Sequence, residues 1–136
     1  MNAFKKLLCP IDFSRVSVPA IELASDLAVR NGSTIVLFCA VPQPDATQSR
    51  EELEHTATDQ LRAIARKWFE GRVPYEIVVR LGDPTLAILQ AEQELGIDAV
   101  VIATHGRTGA EYAKLGSVTE RVVRESSCPV VTTRPH

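Results

Sequence analysis

Asp98-Ala99-Val100-Val101-Ile102-Ala103-Thr104-His105-Gly106-Arg107-Thr108-Gly109 is the stretch on which the fold turns. Ala99-Val100-Val101-Ile102 is wholly apolar, and the run from Asp98 to Ala103 reads as a strand. A run of that kind is buried on both faces, as strands of a parallel sheet are. The glycine-bearing loop after it leads to Ser117, which opens a helix. Ser117-Val118-Thr119-Glu120 fits a capping box, with Glu120 reaching back to the Ser117 amide. Pro129 to Thr133 then supplies a last strand.

Working upstream, Asp83-Pro84 has the cap-then-proline form of a helix start. Leu86, Leu89 and Leu95 offer its apolar face up to Gly96. Tyr75 to Arg80 is a strand. Arg50 to Glu70 is a long amphipathic helix with Leu53, Ala57, Leu61, Ile64 and Trp68 along one side, closed by Gly71. Pro42 to Ser49 is a polar loop. Thr34 to Val41 repeats the continuous apolar pattern of a buried strand. Val18 to Asn31 is a helix with Ser17 as its N-cap, Pro19 in its first turn, and Ile21, Ala24, Leu27 and Ala28 on one face. Gly32 ends it. Phe4 to Cys9 is the first strand, stopped by Pro10.

Strands alternating with helices this regularly specify a doubly wound α/β fold around a parallel sheet. The chain of 136 residues is long enough for one such domain, and residues 1–136 are read as that domain. Apolar residues form 45% and charged residues 24% of it, which excludes a disordered chain. The formal charge is -2, and Lys and Arg are scattered, so the basic stripe of a nucleic-acid binder is missing. The N-terminal apolar run is too short for a signal peptide, and no stretch approaches the ~18 apolar residues of a membrane span. A cytoplasmic protein is expected. Cys9, Cys39 and Cys128 fit no zinc spacing and read as reduced, mostly buried thiols. Asn31-Gly32-Ser33 matches a glycosylation acceptor that a cytoplasmic chain would not use.

Ligands of open parallel sheets bind beyond the carboxyl ends of strands, where strand order reverses. If the order is 3-2-1-4-5, the first and fourth strands flank that point. Pro10-Ile11-Asp12-Phe13-Ser14 follows the first, and Ala103 to Gly109 with Gly116-Ser117 follows the fourth. The second cluster has the ingredients of a phosphate site. Glycines let amides approach an anion, a helix N-terminus supplies unpaired N–H groups, and Arg107 adds a fixed charge with fork geometry. Bonds to charged groups contribute roughly 1.5–3 kcal/mol each, so a few of them leave an affinity on the order of micromolar. Each residue alone also has a plain structural role: Gly106 and Gly109 as turn glycines, Ser117 as a cap, Asp12 as a turn residue, His105 as a hydrogen-bonder. Arg107 in a glycine loop is the hardest to explain that way. A dinucleotide fingerprint, a P-loop and a nucleophile elbow are missing from the sequence. A response-regulator receiver would need an aspartate where Arg80-Leu81-Gly82 stands.

Gly106, nine residues, then Gly116-Ser117 is similar to the signature Gly-x2-Gly-x9-Gly-Ser/Thr of the universal stress protein family. Lys6-Leu7-Leu8-Cys9-Pro10-Ile11-Asp12-Phe13-Ser14 resembles the start of that family. Val78 to Pro84 and Ser127-Cys128-Pro129-Val130-Val131 resemble its later landmarks. The resemblance spans essentially the whole chain. It implies a Rossmann-like sheet in the order 3-2-1-4-5, of the adenine nucleotide alpha hydrolase-like type, a homodimer, and ATP as ligand. Carried over by position, Asp12 and the backbone at Pro10-Ile11 would hold adenine and ribose. Ala40 and Ile102 would wall the base, and Ala103, Gly106, Gly116, Ser117 and Val118 would surround ribose and phosphates. Arg107 joins them on its charge and place. Mg2+ would be held through the phosphates, with no metal site of the protein's own. Ala103 stands where the signature has its first glycine, a replacement that a negative φ accommodates.

Three functions follow. The first is an ATP-binding, dimeric stress or signalling regulator with no catalytic residues, and the second a slow ATPase, for which Asp12 is the thin support. The third is a nucleotide-free module that dimerises and binds partner proteins. In each the apolar edge strand Pro129-Val130-Val131-Thr132-Thr133 invites pairing with its own copy.

Overall fold

The computed structural model describes residues 4–104 and 117–133. Among the described residues nine elements alternate: β1 (Lys6–Pro10), α1 (Ser17–Asn31), β2 (Thr34–Val41), α2 (Arg50–Trp68), β3 (Tyr75–Leu81), α3 (Pro84–Glu94), β4 (Ala99–Ala103), α4 (Ser117–Glu125) and β5 (Val130–Thr133). The strands form one sheet in the order β3-β2-β1-β4-β5. Every neighbouring pair is parallel, with Leu8 opposite Val36 and Val100, and Val101 opposite Val131.

Alternation along each strand sends successive side chains to opposite faces. Leu7, Cys9, Ile35, Leu37, Ala99 and Val101 therefore face one core, completed by Ala24 of α1 and Leu61 and Ala65 of α2. Leu8, Val36, Phe38, Val100 and Ile102 face the other, completed by Ile88 and Ala91 of α3 and Val122 of α4. Helices thus cover both sides of the sheet, and this double burial is what the continuous apolar strands required.

Local chemistry sets most helix ends. The Ser49 and Asp83 side chains cap α2 and α3, accepting from the Glu52 and Leu86 amides at 3.0 Å each. Gly32 closes α1 in the left-handed region, at φ 66°, with its N–H on the Ala28 carbonyl. Several sequence expectations are corrected in detail. Pro10 lies inside β1, which continues as the Ile11 amide donates to the Phe38 carbonyl at 2.9 Å. Ser17 is the first helical residue rather than the cap, and Val16 precedes it without a side-chain cap bond. Phe69, not Gly71, closes α2. Leu86 is 54% exposed, and α3 buries Thr85, Ala87, Ile88, Ala91 and Glu92 instead. Glu120 accepts from Arg124 at 3.3 Å, one turn ahead of it.

Glu92 is almost fully buried in α3 and holds the connection from α4 to β5. Its carboxylate accepts from Ser126 Oγ at 2.6 Å, the Ser127 amide at 3.1 Å and Ser127 Oγ at 3.5 Å. Cys128 Sγ lies 3.7 Å away, and burial, then the Glu92 charge, push its thiol up to about 11.

Burial alone pushes the Cys9 thiol up from 9.0 to about 12. The folded chain therefore holds this proton more tightly than the unfolded chain. Stability is level with respect to Cys9 below pH 9.0 and falls as pH rises from there toward about 12. Urea unfolding on either side of pH 9.0 should show a steeper alkaline loss for the wild type than for Cys9→Ala. Equal slopes would contradict the assignment.

Candidate functional site

A cavity of about 700 Å³ opens at the carboxyl ends of β1, β2, β3 and β4, a size typical of small-molecule sites. Its position is the reversal point of the sheet, since β1 leads to β2 on one side and pairs with β4 on the other.

From β1 come Pro10, Ile11 and Asp12. Asp12 is fixed by a tight turn in which its Oδ1 accepts from the Ser14 amide at 3.0 Å and from Ser17 Oγ at 3.2 Å. Phe13 sits between them with φ 66°, the one non-glycine in the left-handed region among the described residues. That conformation costs roughly 1–2 kcal/mol and is held here by packing of the Phe13 ring against the first core. Buried Ser17 lines the cavity behind Asp12, so its hydroxyl serves the turn rather than the helix end.

β2 contributes Phe38 and Ala40, followed by Pro42 and Gln43. The turn after β3 adds Gly82, Asp83 and Pro84. Gly82 donates its amide to the Val41 carbonyl at 2.8 Å and has φ 114°, a conformation that only glycine adopts readily. It brings Asp83 to the rim, where the carboxylate caps α3. Ile88 of α3 closes the wall.

From β4 come Ile102 and Ala103, and from α4 come Ser117, Val118 and Thr119. Buried Thr119 ties the helix to the strand, its Oγ1 donating to the Ala103 carbonyl at 2.5 Å. The Thr104 amide in turn donates to the Thr133 carbonyl of β5 at 2.9 Å. Ala103 is an extended strand residue outside the left-handed region, so its Cβ brings no backbone strain.

Of the residues singled out in the sequence, Pro10, Ile11, Asp12, Ala40, Ile102, Ala103, Ser117 and Val118 all line this cavity. Gly106, Arg107 and Gly116 lie outside the described residues, as do His105 and Gly109. Sequence reasoning missed Ser17, Gln43, Gly82 and Asp83. For the last two a signal existed, because Gly-Asp-Pro after a strand marks a sharp turn with a helix cap at a strand's carboxyl end. Among the described residues no group of three or more His, Cys, Asp or Glu is arranged to hold a metal. No described helix is long and apolar enough to cross a membrane.

The two helices on this face, α3 and α4, both start at the cavity, and their N-termini differ in charge. The unpaired amides of a helix N-terminus attract anions. At α3 the Asp83 carboxylate already occupies that position. At α4 the nearest acid in the first turn, Glu120, is engaged with Arg124 instead. The crevice thus carries the Asp83 charge at its α3 end and the first turn of α4 at the other.

Comparison with known proteins agrees with this architecture. A family model described as the universal stress protein family matches residues 3–134. The universal stress protein MJ0531 of Methanocaldococcus jannaschii is 27% identical, covering 98% of this chain and 84% of the relative. The universal stress protein YxiE of Bacillus subtilis is 28% identical, covering 96% and 99%. Among solved structures, MJ0577 superposes with a TM-score of 0.85 at 22% identity, covering 98% of both chains. A universal stress protein in complex with cAMP gives 0.74 at 18% identity over 98% and 99%. A family member from Arabidopsis thaliana with AMP bound gives 0.70 at 22% identity over 97% and 92%.

Proposed function

The chain belongs to the universal stress protein family, and from that premise we propose that its crevice binds an adenine nucleotide, ATP above all, and that occupancy regulates the contacts of a homodimer. The observation that carries this reading is the cavity at the sheet's reversal point, with Asp12 and the first turn of α4 on its walls. The AMP and cAMP held by two structural neighbours support the same ligand class.

In this reading the phosphates lie at the first-turn amides of α4, with the Ser117 hydroxyl as a further donor. Asp12, held by its turn, receives the ribose hydroxyls. The base enters the apolar part between Ala40, Ile102 and Ile88, where burial of its ring face supplies affinity. Gly106, Arg107 and Gly116 complete the phosphate side. Mg2+ arrives on the phosphates, as it usually does with nucleotides. A cytoplasmic setting belongs to the same proposal.

The dimer forms through β5, which ends the sheet and pairs on one side with β4. Its free edge and half-buried Val130 and Val131 suit pairing across a two-fold axis. The same edge favours the second reading, a nucleotide-free dimeric interaction module. Slow ATP hydrolysis rests on Asp12 alone.

Calorimetry with ATP, ADP and AMP separates these readings. Saturable binding with a dissociation constant on the order of micromolar is expected. No heat with any of them, and no nucleotide in native mass spectra of the purified protein, would leave the interaction module standing.

A further inference from the structure

We propose that the free edge of β3 is a second contact between copies of this chain, in which β3 pairs antiparallel with itself about a two-fold axis through Val78. This edge lies across the sheet from β5, so the contact is additional to the one proposed above and independent of what the crevice holds.

β3 ends the sheet and pairs with β2 alone. The Ile35 amide donates to the Pro74 carbonyl at 3.0 Å, and the Gly82 amide donates to the Val41 carbonyl at 2.8 Å. Residues that bond to one neighbour alternate along a strand, so Glu76, Val78 and Arg80 also turn their backbone groups toward β2. Tyr75, Ile77, Val79 and Leu81 therefore direct their N–H and C=O groups away from the sheet. Among the described residues no strand pairs with them on that side. Their side chains are half-buried, whereas Ile35, Leu37, Cys39 and Val41 opposite them on β2 are buried. An apolar, unpaired edge is a template for a further strand, and this one runs for seven residues against four in β5.

The strand Tyr75-Glu76-Ile77-Val78-Val79-Arg80-Leu81 is its own complement when reversed. With Val78 opposite its copy, Glu76 stands opposite the partner's Arg80, and Arg80 opposite the partner's Glu76. Ile77 meets the partner's Val79, and Tyr75 the partner's Leu81. The outward-directed residues thus meet in hydrogen-bonded pairs. Glu76 and Arg80 fall in the intervening pairs, where side chains approach most closely. Opposite charges in such pairs stabilise, and like charges destabilise. Centring the axis on Ile77 or Val79 would set both charges against uncharged residues, and centring it on Glu76 or Arg80 would set like charges together. Only Val78 satisfies backbone and charge at once. Within the chain, Lys6 lies 3.6 Å from Glu76 and Glu94 lies 3.6 Å from Arg80, yet the Glu76 and Arg80 side chains stay 50% and 43% exposed.

The same axis brings a helix to each helix. α2 rests on both β2 and β3, so its copy lies two strand spacings away, roughly 9.6 Å, an ordinary distance between packed helices. The two-fold makes the pair antiparallel. The first half of α2, with exposed Glu51, Glu52 and Asp59, then runs beside the second half of the partner's helix, which carries exposed Arg62, Arg66 and Lys67. Each copy thus has one edge at β5 and another at β3, and pairing at both builds assemblies larger than a dimer.

Sedimentation of the wild type is compared with Glu76→Arg, Arg80→Glu and an equimolar mixture of the two variants. Either variant alone sets two like-charge pairs across the axis, and the dissociation constant should rise about 10-fold or more. In the mixture the arginines of one variant meet the glutamates of the other, so association should return to the wild-type level. A damaged fold does not produce that recovery, and exposed ion pairs such as those to Lys6 and Glu94 contribute little to stability. A cross-link reads the register separately. Val78→Cys, combined with Cys128→Ser to remove the half-buried thiol, should form a disulfide-linked pair on mild oxidation. Opposed residues of this kind have Cα atoms about 4.5 Å apart, within disulfide reach. Val79→Cys in the same background is off the axis and on the other face, and it should stay unlinked. Equal masses for the wild type, both variants and their mixture overturn the proposal. So does a Val78→Cys chain that cross-links no better than Val79→Cys. Neither readout involves nucleotide, so the crevice reading stands or falls separately.

Discussion

Replacing Ala40 with phenylalanine is expected to weaken AMP and ATP binding by more than about 100-fold while leaving the unfolding midpoint nearly unchanged. Ala40 lies on β2 between the cavity floor at Phe38 and the rim at Gln43, and it is half-buried against the second core. A benzyl group at this position grows into the open volume that the base would occupy. Overpacking of a filled core costs typically 1–3 kcal/mol, but here the added atoms displace ligand or solvent rather than neighbouring side chains. Loss of affinity and retention of fold are therefore separable. Calorimetry with AMP and thermal unfolding of the same sample read the two quantities. Full affinity in Ala40→Phe would place the base elsewhere.

Phe69→Ala is expected to destabilise the protein by about 3–5 kcal/mol, the range for truncating a fully buried aromatic side chain. Phe69 is fully buried immediately after α2 and packs into the first core, with its ring 6.3 Å from that of Tyr75. Tyr75 begins β3, so this contact lies at the amino end of the sheet, opposite the crevice. Urea unfolding should show the loss as a lowered midpoint with little change in slope. The surviving folded fraction should bind AMP with wild-type affinity. A parallel loss of affinity would mean that the two ends of the sheet are coupled.

The sequence made the strands plain because double burial leaves a composition that needs no partner to interpret. Thr34 to Val41 was delimited to the residue, and the parallel sheet followed from the regular alternation with helices, while its strand order came from the family resemblance. The errors cluster where a side chain has two plausible uses. Ser17 looks like a cap because serine caps helices, yet its hydroxyl turns toward Asp12. Leu86 looks like core because leucine usually is, yet the small residues Ala87 and Ala91 permit α3 to approach the sheet and turn Leu86 outward. At the cavity, Pro10, Ile11 and Asp12 after β1 and Ala103, Ser117 and Val118 on the β4 side were legible from the reversal rule and from the family resemblance. Asp83 was read only as a helix cap, and Gln43 was not legible, because its relevance depends on how far the crevice extends across β2 and β3. Only tertiary contact reveals that extent.

In the proposed dimer, the buried Glu92 carboxylate would have a consequence for the copy alongside β5. Ser126 and Ser127, which lead into that strand, are moored to α3 before any second molecule arrives. A docking chain then meets a template that is already rigid, and complexation forgoes the entropic penalty of freezing a loose terminus. Recognition at this border can be modest in area and still be selective.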